Sequence, residues 1–97
     1  MPFEKNNSAF TFDEKGIATY APRQSGVYGI YNSSKWIYIG ESKDIEGRLY
    51  EHLRGESEQS ARILRHNPTG YSFESCDART RMTRETELIA ELRPVAN

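Results

Sequence analysis

Val27-Tyr28-Gly29-Ile30-Tyr31-Asn32 and Trp36-Ile37-Tyr38-Ile39-Gly40 flank the polar link Ser33-Ser34-Lys35. Two β-branched and aromatic runs around such a link read as an antiparallel hairpin. Side chains alternate faces along a strand, so the register decides which of them meet. A three-residue loop pairs Asn32 with Trp36, Ile30 with Tyr38, and Tyr28 with Gly40. Tyr28 and Tyr38 then share one face as diagonal neighbours, with Gly40 leaving room beside the Tyr28 phenol. A two-residue loop would put the two tyrosines on opposite faces. Two tyrosines on one face most often form only the edge of a core, so the hairpin by itself does not make a site.

The pattern outward from the hairpin is helical. Asp44 suits an N-cap, and Ile45, Leu49 and Leu53 recur every four residues, which predicts a helix over 44–54 stopped at Gly55. Arg48 and His52 stack one turn apart on its flank, at the border between core and solvent. Spacing alone favours a surface arginine held by Asp44 or Glu51 beside a boundary histidine. Residues 57–67 read as a second short helix with Ile63 and Leu64 inward, closed by Asn67-Pro68 and the turn Thr69-Gly70. Residues 71–76 alternate like a strand. A last helix runs over 78–92, capped by Asp77 and ended before Pro94. Upstream, residues 21–26 are turn-rich, 10–20 suggest a short hairpin turning at Glu14-Lys15-Gly16, and 5–8 suggest a frayed end. The expected architecture is α+β: about three antiparallel strands flanked by helices. Residues 1–24 form an N-terminal arm or hairpin and 25–97 the domain proper.

A chain of 97 residues makes about one domain with one modest core. At 36% hydrophobic, 11% aromatic and 28% charged residues it is globular in composition, neither disordered nor membrane-embedded. No apolar run is long enough to span a bilayer, and the first ten residues lack a signal peptide's apolar stretch, so the expected location is cytoplasmic. Cys76 is the only cysteine, which excludes an internal disulfide and a cysteine-based zinc site. In its strand-like run it reads as a small buried thiol rather than a nucleophile. The net charge of −1 lacks the basic excess of proteins that bind nucleic acid mainly through phosphates, so any such role must rest on a local site.

Glu85 is the most informative single residue. Met82, Leu88, Ile89 and Leu92 mark an apolar face on the last helix, and Glu85 falls within it, whereas Arg84, Glu87 and Glu91 fall on the outward side. A carboxylate on an inward face costs free energy unless a cation or several donors meet it. Arg48 or a bound metal ion would serve, and the helix spacing does not choose between them.

With those residues in view, the segment SGVYGIYNSSKWIYIGESKDIEGRLYEHL (25–53) resembles the GIY-YIG nuclease family. It carries two motif strands at the family's spacing, the Lys43-Asp44 helix entry, an arginine on that helix, and a histidine one turn later. ETELIAELRPVAN (85–97) resembles the closing helix of the family, with its glutamate and its terminal asparagine. The literal triplet Gly29-Ile30-Tyr31 is not the matching one. The family's first triplet leads its strand directly after a turn, which fits Gly26-Val27-Tyr28, and Tyr31 would point away from Tyr38. Glu41 departs from the small or basic residue often seen after the second triplet.

The resemblance implies metal-dependent hydrolysis of a DNA phosphodiester, with a single Mg²⁺ or Mn²⁺ held by Glu85. It implies that Arg48 meets charge growing on the phosphoryl oxygens and that Tyr28 orients or deprotonates the attacking water. Tyr38 would bond the phosphate or support Tyr28. His52, with an ordinary pKa near 6.5, would take the proton onward, and Asn97 would fix the site through its amide. DNA is the implied partner, together with a protein partner that supplies specificity, and no membrane. The oligomeric state is open. Two other classes compete: a catalytically inactive DNA- or protein-binding module, favoured by Glu41 and the near-zero net charge, and a structural protein in which Glu85 and Arg48 are only a buried ion pair.

Overall fold

The computed structural model describes residues 9–97. In chain order the elements are α1 (Glu14–Tyr20), β1 (Gly26–Tyr31), β2 (Trp36–Ser42), α2 (Ile45–Arg54), α3 (Glu58–Leu64), β3 (Gly70–Ser75) and α4 (Ala78–Leu92). The strands form one antiparallel sheet in the order β2-β1-β3. β1 is central and buried at every position, so both faces of the sheet are covered. On one face Tyr28, Ile30 and Tyr38 join Ile17 of α1, Ile45 and Leu49 of α2, and Ile63 of α3 in the main core. On the other, Val27 and Ile39 pack against Leu88 of α4. Each fully buried aliphatic side chain contributes roughly 1.5–3 kcal/mol by leaving water. Truncating Leu49 to alanine would cost about 2–5 kcal/mol.

Local chemistry sets the helix ends. Asp44 accepts from the Gly47 amide and Asp77 from the amides of Arg79 and Thr80, which satisfies donors that the first helical turn leaves unpaired. Gly55 closes α2 in the left-handed region at φ 69°, where a side chain would be strained. Beyond α4 the chain returns along the sheet edge, Val95 donating to the Trp36 carbonyl and Ala96 to that of Ile37.

The hairpin pairs Tyr28 with Gly40 and Ile30 with Tyr38 as its loop length predicts, but Trp36 faces Tyr31 rather than Asn32. The cause is local: the Asn32 side chain accepts from the amides of Ser34 and Lys35, drawing the loop tight, and a bulge beside Tyr31 absorbs the extra residue.

Residues 14–20 are a helix, not the return strand of a hairpin. Asp13 accepts from the Gly16 amide at 2.7 Å, and Ile17 is drawn fully into the core. Gly16 is there for close approach, since a Cβ would lie 2.1 Å from the Thr11 carbonyl oxygen. Thr11 still forms an isolated antiparallel bridge to Gly70 at the start of β3. The frayed end expected at residues 5–8 lies outside the described residues.

The inward stripe of α4 also differs. Met82 is 69% exposed. Arg84, expected outward, forks onto Glu74 of β3 with contacts of 2.9 and 3.1 Å. The first half of α4 passes beyond the apolar cluster and over acidic residues of the sheet, Arg81 meeting Glu41 and Arg84 meeting Glu74. Ionic pairing there, rather than apolar contact, sets the rotation of the helix, which turns Met82 to solvent. Cys76 is half-buried beside the Val27–Ile39–Leu88 cluster, and burial raises its thiol pKa, leaving little of the reactive thiolate.

Candidate active site

The sheet register brings the two phenols together. Tyr28 and Tyr38 lie on the same face with ring centroids 6.2 Å apart. The glycine opposite Tyr28 is a steric requirement, because a Cβ on Gly40 would sit 2.4 Å from the Tyr28 hydroxyl oxygen. Tyr31 projects to the other face, edge-on to Trp36 and against Gly70. Tyr28 is therefore the tyrosine of this strand that Tyr38 meets.

α2 lays Arg48 and His52 over the pair, and their environments diverge. His52 is not a boundary residue: it is 1% exposed, its Nε2 lies 2.7 Å from the Tyr28 hydroxyl oxygen, and its Nδ1 lies 2.9 Å from Ser60 Oγ. Burial, aided by the Arg48 charge, lowers its pKa to about 4, so the ring is neutral at physiological pH. The ordinary pKa expected from its residue type does not survive that environment. Arg48 sits at the rim, its guanidinium donating to Glu51 at 2.8 Å and to Gln59 at 3.4 Å.

No ion pair joins Arg48 to Glu85 among the described residues, so the buried Arg–Glu pair considered from the sequence does not form. Glu51 lies one turn along the same helix and takes the guanidinium instead.

Glu85 is half-buried on α4. Among the described residues it makes no hydrogen bond and no ion pair. Burial and the negative charge of Glu41 raise its pKa, and its own charge raises those of both Tyr28 and Tyr38. A partly desolvated carboxylate without a protein cation among the described residues is a hard-oxygen ligand that suits Mg²⁺ or Mn²⁺. Among the described residues no group of three or more His, Cys, Asp or Glu forms a closed metal site. The fit is therefore to a single-carboxylate site in which the ion keeps most of its waters, as Mg²⁺ prefers.

Glu41 is held by Arg81 Nε and so does not stand as an uncompensated charge. Tyr28 is fully buried and forms the floor, and burial strongly raises its phenol pKa while Arg48 counters it. Tyr38 is the more accessible phenol, also raised by burial.

Asn97 stays apart from these five residues. Its amide accepts from the Ile39 N–H and donates to the Ile39 carbonyl, both at 2.8 Å, as a paired strand residue would. Ile39 lies between Tyr38 and Gly40, so Asn97 acts on the backbone that carries the site.

Three residues of α3 belong to the neighbourhood and were not singled out from the sequence. Ser60 contacts His52, Gln59 contacts Arg48, and the exposed Arg62 is close enough to Tyr38 to lower its pKa. Only the helical periodicity of 57–67, which stacks 59 with 62 and 63 on adjacent turns, hinted at a shared face.

Comparison with known proteins places the fold in a family. The profile of the GIY-YIG catalytic domain matches residues 24–97. The UvrABC system protein C of Dictyoglomus thermophilum is 31% identical over 93 residues, covering 94% of this chain but 15% of that protein. That of Hydrogenobaculum is 41% identical over 49 residues, covering 48% of this chain and 9% of that protein. The chain thus spans only a small fraction of the length of these curated relatives. The GIY-YIG N-terminal endonuclease domain of UvrC from Thermotoga maritima, bound to magnesium as its catalytic divalent cation, is 28% identical. It superposes with a TM-score of 0.73 over 88% of this chain and 99% of its own. An asparagine-to-alanine variant of that domain, also with its catalytic cation, superposes equally well, with a TM-score of 0.73 at 27% identity, covering 88% of this chain and 98% of its own. In fold, in the order of its motif residues and in the match along three-quarters of its length, this chain belongs to the GIY-YIG catalytic domain family.

Proposed function

We propose that this protein is a metal-dependent endonuclease that hydrolyses DNA phosphodiester bonds at the Tyr28–Tyr38–Arg48–His52–Glu85 site, using one Mg²⁺ or Mn²⁺ held by Glu85. The observation that carries the reading is the half-buried, raised-pKa carboxylate of Glu85, which has no cation among the described residues yet acts electrostatically on both phenols. When bound, the ion supplies positive charge that polarises the scissile phosphate, stabilises the leaving 3′-oxygen and lowers the pKa of nearby phenols.

The protein's own groups do the rest. Arg48, at the rim with a planar guanidinium, meets the phosphoryl oxygens with paired hydrogen bonds as their charge grows. Engaging DNA there requires it to leave Glu51, an exposed partner that holds it weakly. Tyr38, the more accessible phenol, donates to the phosphate. Tyr28 on the floor orients the attacking water. Burial keeps it as a neutral phenol until positive charge arrives, which ties its ionisation to an assembled site. His52 fixes the Tyr28 phenol, and Asn97 holds the β2 backbone beneath Tyr38. A partner protein supplying specificity fits a domain so close to charge neutrality.

The test is a divalent-metal cleavage panel on supercoiled plasmid, flap, junction and single-stranded DNA. Wild type is expected to nick or cleave with Mg²⁺ or Mn²⁺ and not with EDTA, and Glu85→Ala and Arg48→Ala are expected to lose roughly 10²–10³-fold or more in rate. DNA binding without cleavage by the wild type would point instead to an inactive binding module.

A further inference from the structure

A chain of hydrogen-bonding side chains runs from the buried floor of the site into α3 and ends at the exposed Ser57. It passes from Tyr28 Oη to His52 Nε2 at 2.7 Å, from His52 Nδ1 to Ser60 Oγ at 2.9 Å, and from Ser60 Oγ to Ser57 Oγ at 2.9 Å. Tyr28, His52 and Ser60 are each at most 1% exposed, so no outside water adjusts their hydrogen bonds.

Ser57 is the N-cap of α3. Its oxygen accepts from the Ser60 N–H at 3.0 Å, and its hydroxyl hydrogen goes to Ser60 Oγ. Ser60 therefore keeps its own hydrogen to donate, and two acceptors are within reach. The Glu51 carbonyl is 3.4 Å away and His52 Nδ1 is 2.9 Å away. An O–H donor prefers contacts of about 2.5–3.0 Å, which selects Nδ1. A neutral imidazole has one N–H, so a ring that accepts at Nδ1 donates from Nε2.

We infer that Ser60 is a positioning residue: it locks His52 in the tautomer with hydrogen on Nε2, so that the imidazole donates to the Tyr28 oxygen instead of accepting its proton. The inference rests on the nuclease reading only for its catalytic consequence. In that role His52 is a fixed donor that favours negative charge on the Tyr28 oxygen, and the hydrogen of the Tyr28 hydroxyl is turned away from His52. Sequence spacing puts Ser60 eight residues beyond His52 and gives it no evident tie to the motif residues. Only the packing of α3 on α2 brings them together.

Two readouts test the assignment. The first is the ¹⁵N NMR spectrum of the His52 ring in the full chain, which needs no activity. Wild type is expected to show Nε2 protonated and Nδ1 as a hydrogen-bonded acceptor, with the Nδ1 hydrogen-bond shift lost in Ser60→Ala. A wild-type ring protonated at Nδ1 overturns the inference. The second is cleavage kinetics. Ser60→Ala is expected to lower kcat by about 10- to 100-fold, the range seen when an outer partner that fixes a histidine tautomer is removed. KM for DNA should stay unchanged, and Ser60→Thr, which keeps the hydroxyl, should restore much of the rate. Unchanged kcat in a folded Ser60→Ala protein also overturns it. A wild-type protein that cleaves nothing, yet shows the Nε2–H ring, refutes the nuclease reading and leaves the tautomer assignment standing.

Discussion

Replacing Gly40 by alanine puts a methyl group 2.4 Å from the Tyr28 hydroxyl oxygen, 2.5 Å from its Cζ and 2.9 Å from its Cε2. Carbon atoms in proteins settle at about 3.5–4.0 Å from their neighbours, so the phenol has to retreat by roughly 1 Å. It has nowhere to go cheaply, because Tyr28 is fully buried and its hydroxyl is tied to His52 at 2.7 Å. Overpacking of this kind costs about 1–3 kcal/mol. Stretching the Tyr28–His52 bond leaves a buried polar pair poorly satisfied, at about 1–3 kcal/mol. Because the two strains relax together, the expected total is about 2–4 kcal/mol, which for a domain of this size lowers Tm by roughly 10–25 °C. Urea unfolding followed by the single tryptophan, Trp36, measures the loss, and plasmid nicking measures its effect on the site. The three nearest atoms all belong to Tyr28, so the strain should vanish when that ring is removed. In a Tyr28→Leu background the added cost of Gly40→Ala should fall below about 1 kcal/mol, a coupling that a double-mutant cycle reads directly. A Gly40→Ala protein with unchanged midpoint and rate would refute the packing argument, and so would an equal loss in both backgrounds.

Tyr28→Phe should lower cleavage by about 10²-fold or more, the usual size of proton-handling effects, while Tyr31→Phe should leave the rate within about twofold. A large loss with Tyr31→Phe would mean that the other tyrosine of β1 serves the site. The His52 pKa falls from about 6.5 unfolded to about 4 folded, so between those values the unfolded chain binds the extra proton. Stability is therefore full above pH 6.5 and declines as pH drops toward 4. Urea midpoints should show about 2 kcal/mol lost between pH 7 and pH 5, and His52→Gln should flatten that slope. Arg62→Ala should weaken DNA binding and reduce the salt dependence of log K by about one unit of slope, measured by fluorescence anisotropy across a KCl series. Asn97→Ala removes both contacts with Ile39 and should cost about 1–2 kcal/mol in urea unfolding, with hydrogen exchange rising at the Ile39 amide.

Much of the frame could be read directly from the residues, because it is encoded by local rules. Asp44, Gly55 and Asp77 mark helix ends by capping chemistry that needs only near neighbours. The length of the Ser33–Lys35 link gave the pairing of Tyr28 with Gly40 and Ile30 with Tyr38, and with it the shared face of the tyrosines. What the residues hid depends on contacts between distant segments. Gly16 resembles a turn glycine, but it is small because the Thr11 carbonyl presses on it, and the helix around it depends on Ile17 finding the core. Met82 looks inward on an apolar wheel, yet Glu41 and Glu74 on the sheet draw Arg81 and Arg84 inward and turn it out. His52 looked like a boundary histidine because α3 was not yet laid over it. Ser60, on that helix, supplies both its burial and its second hydrogen bond.

The proposed nuclease site depends most on Glu85 as the residue that holds the divalent ion. Mn²⁺ binding followed by electron paramagnetic resonance, on wild type and Glu85→Gln side by side, tests this without requiring a DNA substrate. The expected result is one bound Mn²⁺ per wild-type chain and loss of that site in Glu85→Gln, with the fold and the urea midpoint retained. Equal Mn²⁺ affinity in the two proteins, or no Mn²⁺ bound by the wild type, would contradict it.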